Sequence, residues 1–409
     1  MNLKSVFKNL GPGPIITAAF IGPGTVTVCT LAGVNFGFTL LWALALSVVS
    51  TVILQEISGR LGLVTGKDLS QLIRVQRGNS ILRFFTMSLI LLAIGLGNAA
   101  YESGNISGTN LGMQVFWAAP TYRLLGLELQ LGNLLLGLLA FGLLWQGNYK
   151  ALERALVSLV ILMSLAFTAT AFFTNPDWSE VFAGFIPEWT DANLPTLVAL
   201  IGTTVVPYNL FLYASLAKNR WSGPQDLPEM RRDIAISIGL GGIVSMAILV
   251  VGASNTSAEI TSALDVSKGL AGVFGNFAPY FIGFGLLAAG LTSSITAPLA
   301  AGFVICGIMG WDQSIRSTSM RISMGIIVGM GLIFSSLGIK PVQLISLAQL
   351  ANGVLLPLIA GWIIWIATQK SIVGDYRNKP AQSILAVVIW LVTLLLGIKS
   401  SVTVLGIGG

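Results

Sequence analysis

Eleven predominantly apolar stretches run the length of this chain, at roughly 11–34, 38–60, 83–115, 129–147, 151–174, 194–217, 234–254, 276–309, 320–338, 341–367 and 382–404. A helix needs about 20 such residues to cross the hydrocarbon core of a bilayer. So many runs of that length predict an all-α polytopic membrane protein, with no separate soluble domain. The composition agrees. Only 9% of the 409 residues are charged, whereas a soluble domain carries about 25%. The chain has no histidine and two cysteines, which excludes histidine metal sites, histidine proton relays, zinc clusters and a disulfide framework. Glycine is abundant at 47 residues, in keeping with close helix packing in membranes. The first run leads into no Ala-x-Ala cleavage site, so it reads as a span and not as a cleaved leader.

Orientation follows from lysine and arginine. With the N-terminus in the cytoplasm, eighteen of these residues fall on the inner side. Only Arg123, Lys268, Lys340 and Lys399 fall on the outer side. Membrane proteins keep positive charge inside. The eleven spans then leave the C-terminus outside, in what reads as a bacterial inner membrane. The segment 174–193 is acidic, with Asp177, Glu180, Glu188 and Asp191. The pI near 9.4 therefore reports topology and contact with anionic lipid. It does not point to nucleic acid, since no basic groove with interleaved aromatics is present. Residues 66–77 set Lys67, Arg74 and Arg77 among Leu and Ile, the pattern of a short interfacial helix.

Two spans carry breaks. The first reads Gly11-Pro12-Gly13-Pro14 and then Ile21-Gly22-Pro23-Gly24-Thr25; the sixth reads Gly202-Thr203-Thr204-Val205-Val206-Pro207-Tyr208-Asn209. Proline removes a backbone donor and clashes with the carbonyl four residues back. At membrane depth the freed groups are tolerated only where they line a cavity or are buried in protein. Spans one and six hold matching places in a five-plus-five plan. Paired interruptions of that kind mark the midplane site of an inverted-repeat transporter. Ordinary proline kinks are the plainer explanation for either break taken alone.

The chain resembles the NRAMP (natural resistance-associated macrophage protein) family of metal-ion transporters over nearly its whole length. Leu10-Gly11-Pro12-Gly13 and Ala19-Phe20-Ile21-Gly22-Pro23-Gly24 resemble the family's first helix. The run from Leu54-Gln55-Glu56 through Gly66-Lys67-Asp68-Leu69 is similar to its most recognisable stretch. Span six, Ala289 to Thr296 of span eight and Leu347-Ala348-Gln349 of span ten match in pattern. The resemblance implies a leucine-transporter-like fold of the APC superfamily with about eleven helices. Inverted repeats would cover about 11–174 and 194–367, followed by an extra helix at about 382–404, all within one transporter domain spanning 1–409.

Several positions depart from the family pattern. Where the family's first break has Asp-Pro-Gly-Asn, this chain has Gly22 and Thr25 at the Asp and Asn positions. Where the sixth break has Met-Pro-His, it has Val206, Pro207 and Tyr208. The family's Asp and Glu of the third helix are here Ala99 and Glu102. No metal ligand, catalytic group or cofactor motif is expected. A divalent ion stripped of water at such breaks would face a large uncompensated desolvation cost. The free N–H groups and positive dipole ends of half-helices favour the opposite charge.

The expected substrate is therefore a small anion or zwitterion, for example bicarbonate, a short carboxylate or a small amino acid, carried by alternating access. The expected substrate-binding residues are Gly22, Gly24, Thr25, Thr203, Val206, Tyr208, Asn209 and Gln349, with Thr204 and Asn352 nearby. A divalent metal ion such as Mn2+ or Mg2+ at a changed site is the alternative, and a channel the further one. Channels, however, favour rings of identical groups from several subunits.

Coupling to H+ or Na+ is left open. Glu102 is the acid deepest in span three, and intramembrane carboxylates are functional by default. Asn98 or Asn105 would partner it. Arg321 resembles a family arginine on the inner proton path, although a positive-inside anchor explains it more simply. Thr292 and Ser293 offer hydroxyls to a candidate cation site, or bond back to their own helix. Glu56 with Arg60 at i+4 reads as an ion pair. Cys29 and Cys306 read as small buried hydrophobes. Gly325 and Gly329 form a small-xxx-small pair.

Overall fold

Where the chain leaves and re-enters helix is decided by proline. The computed structural model describes residues 11–75, 80–124, 127–147, 150–254 and 260–405. Lys4, Lys8, Leu10 and Arg77 lie outside the described residues. The first span comprises α1 (Gly13–Phe20) and α2 (Pro23–Phe36). Next come α3 (Leu41–Thr65), a short α4 (Leu69–Val75) and the long α5 (Ser80–Met113). A hairpin of β1 (Thr121–Leu124) and β2 (Leu127–Gln130) precedes α6 (Leu131–Gln146) and α7 (Lys150–Phe173). After α8 (Trp178–Ala183), the sixth span divides into α9 (Leu194–Thr204) and α10 (Pro207–Arg220). Helix α11 (Leu227–Ala253) leads to α12 (Ala263–Lys268), α13 (Ala271–Phe274) and α14 (Ala278–Met309). The chain ends with α15 (Thr318–Ser335), α16 (Pro341–Thr368), α17 (Lys370–Val373) and α18 (Pro380–Leu405).

Among the described residues eight stretches are long and apolar enough to cross a membrane, one of them α9 and α10 taken together. Two shorter apolar helices, Leu131–Gln146 and Val157–Phe173, and the broken first span lie at the other apolar runs of the sequence. Helix boundaries differ where polar residues find partners. Helix α3 continues five residues past Arg60 because that guanidinium is buried and fully engaged. It bonds Glu56 (3.1 Å to Oε1), Asn378 Oδ1 (2.6 Å) and the Tyr376 carbonyl. Helix α11 begins seven residues before the apolar run, so that Asp233 lies inside a helix and not in a loop.

The hairpin is absent from the sequence reading. Its register is antiparallel, with Arg123 opposite Glu128, and these two form a 2.7 Å ion pair. The Glu128 N–H reaches the Ser336 carbonyl at 2.8 Å, tying the hairpin to the end of α15. Helix α8 starts on Asp177, whose carboxylate caps the Ser179 N–H at 2.8 Å. The Ser179 hydroxyl and N–H together hold that exposed carboxyl below its ordinary range.

Helix α4 is not merely interfacial. It buries Leu69, Ser70, Leu72 and Ile73 and packs on α14. Helix α5 packs along α14, α15 and α16. The broken first span lies between α11 and α16, and α9 packs on both α16 and α2.

Lipid gives no hydrophobic drive for helices to associate, so close van der Waals approach takes over. Gly33 of α2 lies against the backbone of Leu249 and Gly252 on α11, and a Cβ on Gly252 would come 2.7 Å from the Thr30 carbonyl oxygen. Gly325 faces the Phe141 ring, whereas nothing lies within 4 Å of a Cβ on Gly329. Gly325 thus packs on α6 while Gly329 does not, so the two glycines share no helix contact within the described residues.

Candidate substrate site at the two helix breaks

The two breaks share one backbone geometry. The chain leaves α1 at Ile21 (φ −77°, ψ 66°), extends through Gly22 (φ −107°, ψ −172°) and re-enters helix at Pro23. It leaves α9 at Val205 (φ −92°, ψ 68°), extends through Val206 (φ −74°, ψ 120°) and re-enters at Pro207. Proline suits a first helical position, where its missing N–H would have no partner and its φ is already set. Gly24, Thr25, Tyr208 and Asn209 then occupy first turns, at the positive dipole ends of α2 and α10, and the Asn209 N–H donates to the Val206 carbonyl at 3.0 Å. The ends of α1 and α9 present carbonyls. Each break thus offers both donors and acceptors.

The breaks meet. Thr25 and Thr203 hydroxyls are hydrogen-bonded at 2.8 Å. Gly24 faces the Gln349 amide so closely that a Cβ would run into it, and Gly202 lies against the Gln349 carbonyl and the Gly353 N–H. Gln349 of α16 therefore stands between the two spans. Asn352, one turn on, is buried beside Gly97 of α5. Thr25, Thr203, Val206, Tyr208, Asn209 and Gln349 are all 0–3% exposed, so the protein is shut around the breaks.

Several buried polar atoms here have no hydrogen-bond partner among the described residues. They are both side-chain atoms of Asn209, the Tyr208 hydroxyl and Gln349 Oε1. A buried amide without partners is costly unless something else satisfies it. The Thr204 hydroxyl, by contrast, is spent on the Leu200 carbonyl at 3.1 Å. Among the described residues no group of three or more His, Cys, Asp or Glu is placed to hold a metal ion. What the breaks supply is hydroxyl, amide and backbone.

Glu102 is buried in α5, and Asn105 Nδ2 donates to its Oε2 at 3.3 Å. The neighbouring Tyr101 ring meets Tyr208 edge-on at 5.3 Å, so the acid is one residue from a side chain that touches the site. Asn98 is directed elsewhere and donates to the Ala297 carbonyl at 3.3 Å. Arg321 is also apart from Glu102. It stacks on Trp145 at 4.5 Å and donates to that residue's carbonyl at 2.9 Å. The Glu102 side chain lies against Gly331, about 15 Å along α15 from Arg321 at 1.5 Å per residue. These contacts fit the anchor role for Arg321.

The Thr292 hydroxyl donates its proton to the Ala288 carbonyl of its own helix at 2.8 Å, which leaves the oxygen to face a cation only through its lone pairs. Ser293 is buried beside it on α14. Gln55 of α3, both of whose amide atoms are buried and unbonded among the described residues, was not singled out from the sequence, nor was Tyr101. A lone amide or phenol in an apolar run carries no spacing signal.

The sequence profile described as natural resistance-associated macrophage protein-like matches residues 13–403. A relative from Verminephrobacter eiseniae, the divalent metal cation transporter MntH, is 26% identical over 397 residues, which is 92% of this chain and 84% of the relative. Among solved structures, a manganese transporter of Eremococcus coleocola superposes with a TM-score of 0.77 at 20% identity, over 99% of this chain and 88% of that one. Mhp1, a nucleobase-cation-symport-1 family transporter, superposes with a TM-score of 0.62 at 13% identity, over 97% and 90%. These likenesses establish the leucine-transporter-like fold expected from the sequence. The chain therefore belongs to the natural resistance-associated macrophage protein-like family, as a membrane transporter and not an enzyme.

Proposed function

We propose that this protein is a secondary active carrier that alternately exposes the paired breaks to the two sides of the membrane, and that its substrate is a small anion or zwitterion. Bicarbonate is the simplest example. The supporting observation is the donor set at the breaks. The N-terminal ends of α2 and α10 lie at the breaks, together with the unbonded Asn209 side-chain amide, and no carboxylate stands among these first-turn residues. Helix N-termini favour anions. The carbonyl ends of α1 and α9 offer a place for the positive end of a zwitterion. Glu102 is the candidate proton carrier, and Thr292 and Ser293 the candidate contributors to a Na+ site. In this reading the N-terminus is cytoplasmic, the C-terminus is on the outer side of a bacterial inner membrane, and the inverted repeats cover about 11–174 and 194–367.

A second reading, carriage of a divalent metal ion, draws on the names of the relatives. Such an ion would be held by neutral oxygens, including those of Thr25, Asn209 and Gln349, and would keep much of its water.

Purified protein separates the two in titrations and in proteoliposome counterflow with radiolabelled bicarbonate and Mn2+. Saturable bicarbonate binding with exchange is expected. Saturable Mn2+ binding that anions do not affect overturns the first reading and supports the second. Flux without exchange makes the protein a channel.

A further inference from the structure

Asp233 of α11 is buried, and its carboxylate takes three hydrogen bonds from other elements. Oδ1 accepts the Gly11 N–H at 2.8 Å, and Oδ2 accepts the Gly13 N–H at 2.8 Å and the Tyr213 hydroxyl at 3.2 Å. Gly11 and Gly13 open α1, and Tyr213 belongs to α10. One carboxylate on an unbroken helix thus holds half of each broken span.

The Gly-Pro-Gly-Pro run explains the fit. Prolines 12 and 14 have no N–H, so the donors left at the start of α1 come from alternate residues. The N–H groups of Gly11 and Gly13 each reach one carboxylate oxygen. Their lack of side chains lets the backbone approach. A Cβ on Gly13 would lie 2.5 Å from Ser237 Oγ and 2.8 Å from Asp233 Oδ2, and one on Gly11 would strike the Trp221 ring. Trp221 follows α10 directly, so α1 is pressed against the end of α10 at the same point. Bonds to an ionised acceptor are about twice as strong as neutral ones, and the first N–H groups of a helix otherwise have no partner.

We infer that Asp233 latches the gate on the basic face of the protein: it holds α1 against α10 and α11 while the site is shut, and α1 swings away when the latch opens. The inference rests on the alternating-access reading above. Asp233 is a positioning residue in this role and does not touch the substrate.

The test uses purified protein with a cysteine at Ile16, a fully buried position on α1, after replacement of Cys29 and Cys306. Its rate of reaction with a water-soluble maleimide reports how often α1 leaves its seat. Asp233→Asn is expected to raise that rate at least about tenfold, the equivalent of one lost charge-assisted bond. Gly13→Ala should do the same with the carboxylate intact, by pushing α1 off Ser237 and Asp233. Asp233→Glu should fall nearer the parent rate. Cys306, kept alone in a second background and buried on α14, should remain as slow as in the parent.

Rates within twofold of the parent for both Asp233→Asn and Gly13→Ala overturn the latch, as does equal acceleration at Cys306, which would signal general unfolding. Radiolabelled bicarbonate uptake is measured on the same variants. Faster labelling with reduced uptake is the expected pair. Faster labelling with unchanged uptake keeps the latch and overturns alternating access at this face.

Discussion

The site depends on which charges are missing from two short pieces of backbone. Gly22 is extended and precedes Pro23, so a side chain placed there would stand beside the first-turn N–H groups of α2. Gly22→Asp tests the sign of the site. Two like charges about 4 Å apart repel by about 4 kcal/mol at an effective dielectric of about 20. Bicarbonate affinity should therefore fall by at least about a hundredfold. Gly22→Asn, similar in size and uncharged, should lose far less in the same titration. Equal losses in the two variants would make the effect steric, and unchanged affinity in Gly22→Asp would place the anion elsewhere. Adding Thr25→Asn and Val206→Met to Gly22→Asp should bring in measurable Mn2+ binding, because a carboxylate, an amide and a thioether then meet where hydroxyl and alkyl groups stood.

At the scale of helices, glycine sets how near the broken spans come to their scaffold. Gly33→Ala would drive a methyl group into the backbone of α11 at Leu249 and Ala253. Overpacking of this kind costs about 1–3 kcal/mol, and the melting temperature in detergent should fall by several degrees. Gly239→Ala on α11 meets nothing within 4 Å and should leave the melting temperature unchanged. Equal shifts would mean that α2 does not depend on this contact. The helices themselves were largely legible in the sequence, since bilayer thickness imposes a length and lipid imposes apolarity, and proline marks a break wherever it falls. Partnerships between distant residues were not. Thr25 and Thr203 are 178 positions apart, and Asp233 binds donors more than 200 positions away. The pattern placed both breaks and most of their side chains, but not the bond that joins them. Asp233 was hidden because seven helical residues precede the apolar run of α11, and a loop is the simpler reading of a polar stretch. The hairpin was too short for its alternation to stand out beside 20-residue runs.

Across the whole molecule, the charged residues divide by face. Glu56 binds both Arg60 and Arg231, and Lys218 binds Asp68, all on the face rich in lysine and arginine. On the opposite face Arg123, Lys268 and Lys399 pair with Glu128, Asp265 and Asp191. Three of the four cations assigned to that face thus have acidic partners, as do Arg60, Arg231 and Lys218 on the other. The asymmetry that orients membrane proteins therefore rests on how many lysines and arginines each face carries and not on their pairing. The Lys399–Asp191 contact, 2.9 Å long, also places the far end of α18 beside the segment before α9. Between Glu188 and Ser371 the chain crosses the membrane five times if α9 and α10 together form a single span, and six times if each crossed alone. Cysteines at these two exposed positions, in a background without Cys29 and Cys306, count the crossings. An impermeant maleimide on intact cells should label Glu188→Cys at once, and Ser371→Cys only after permeabilisation. Labelling of both from outside would mean an even number of crossings and would remove the single broken span on which the site is built. Labelling of Ser371→Cys alone would invert the protein, and would put the Asp233 contact on the outer side of the membrane.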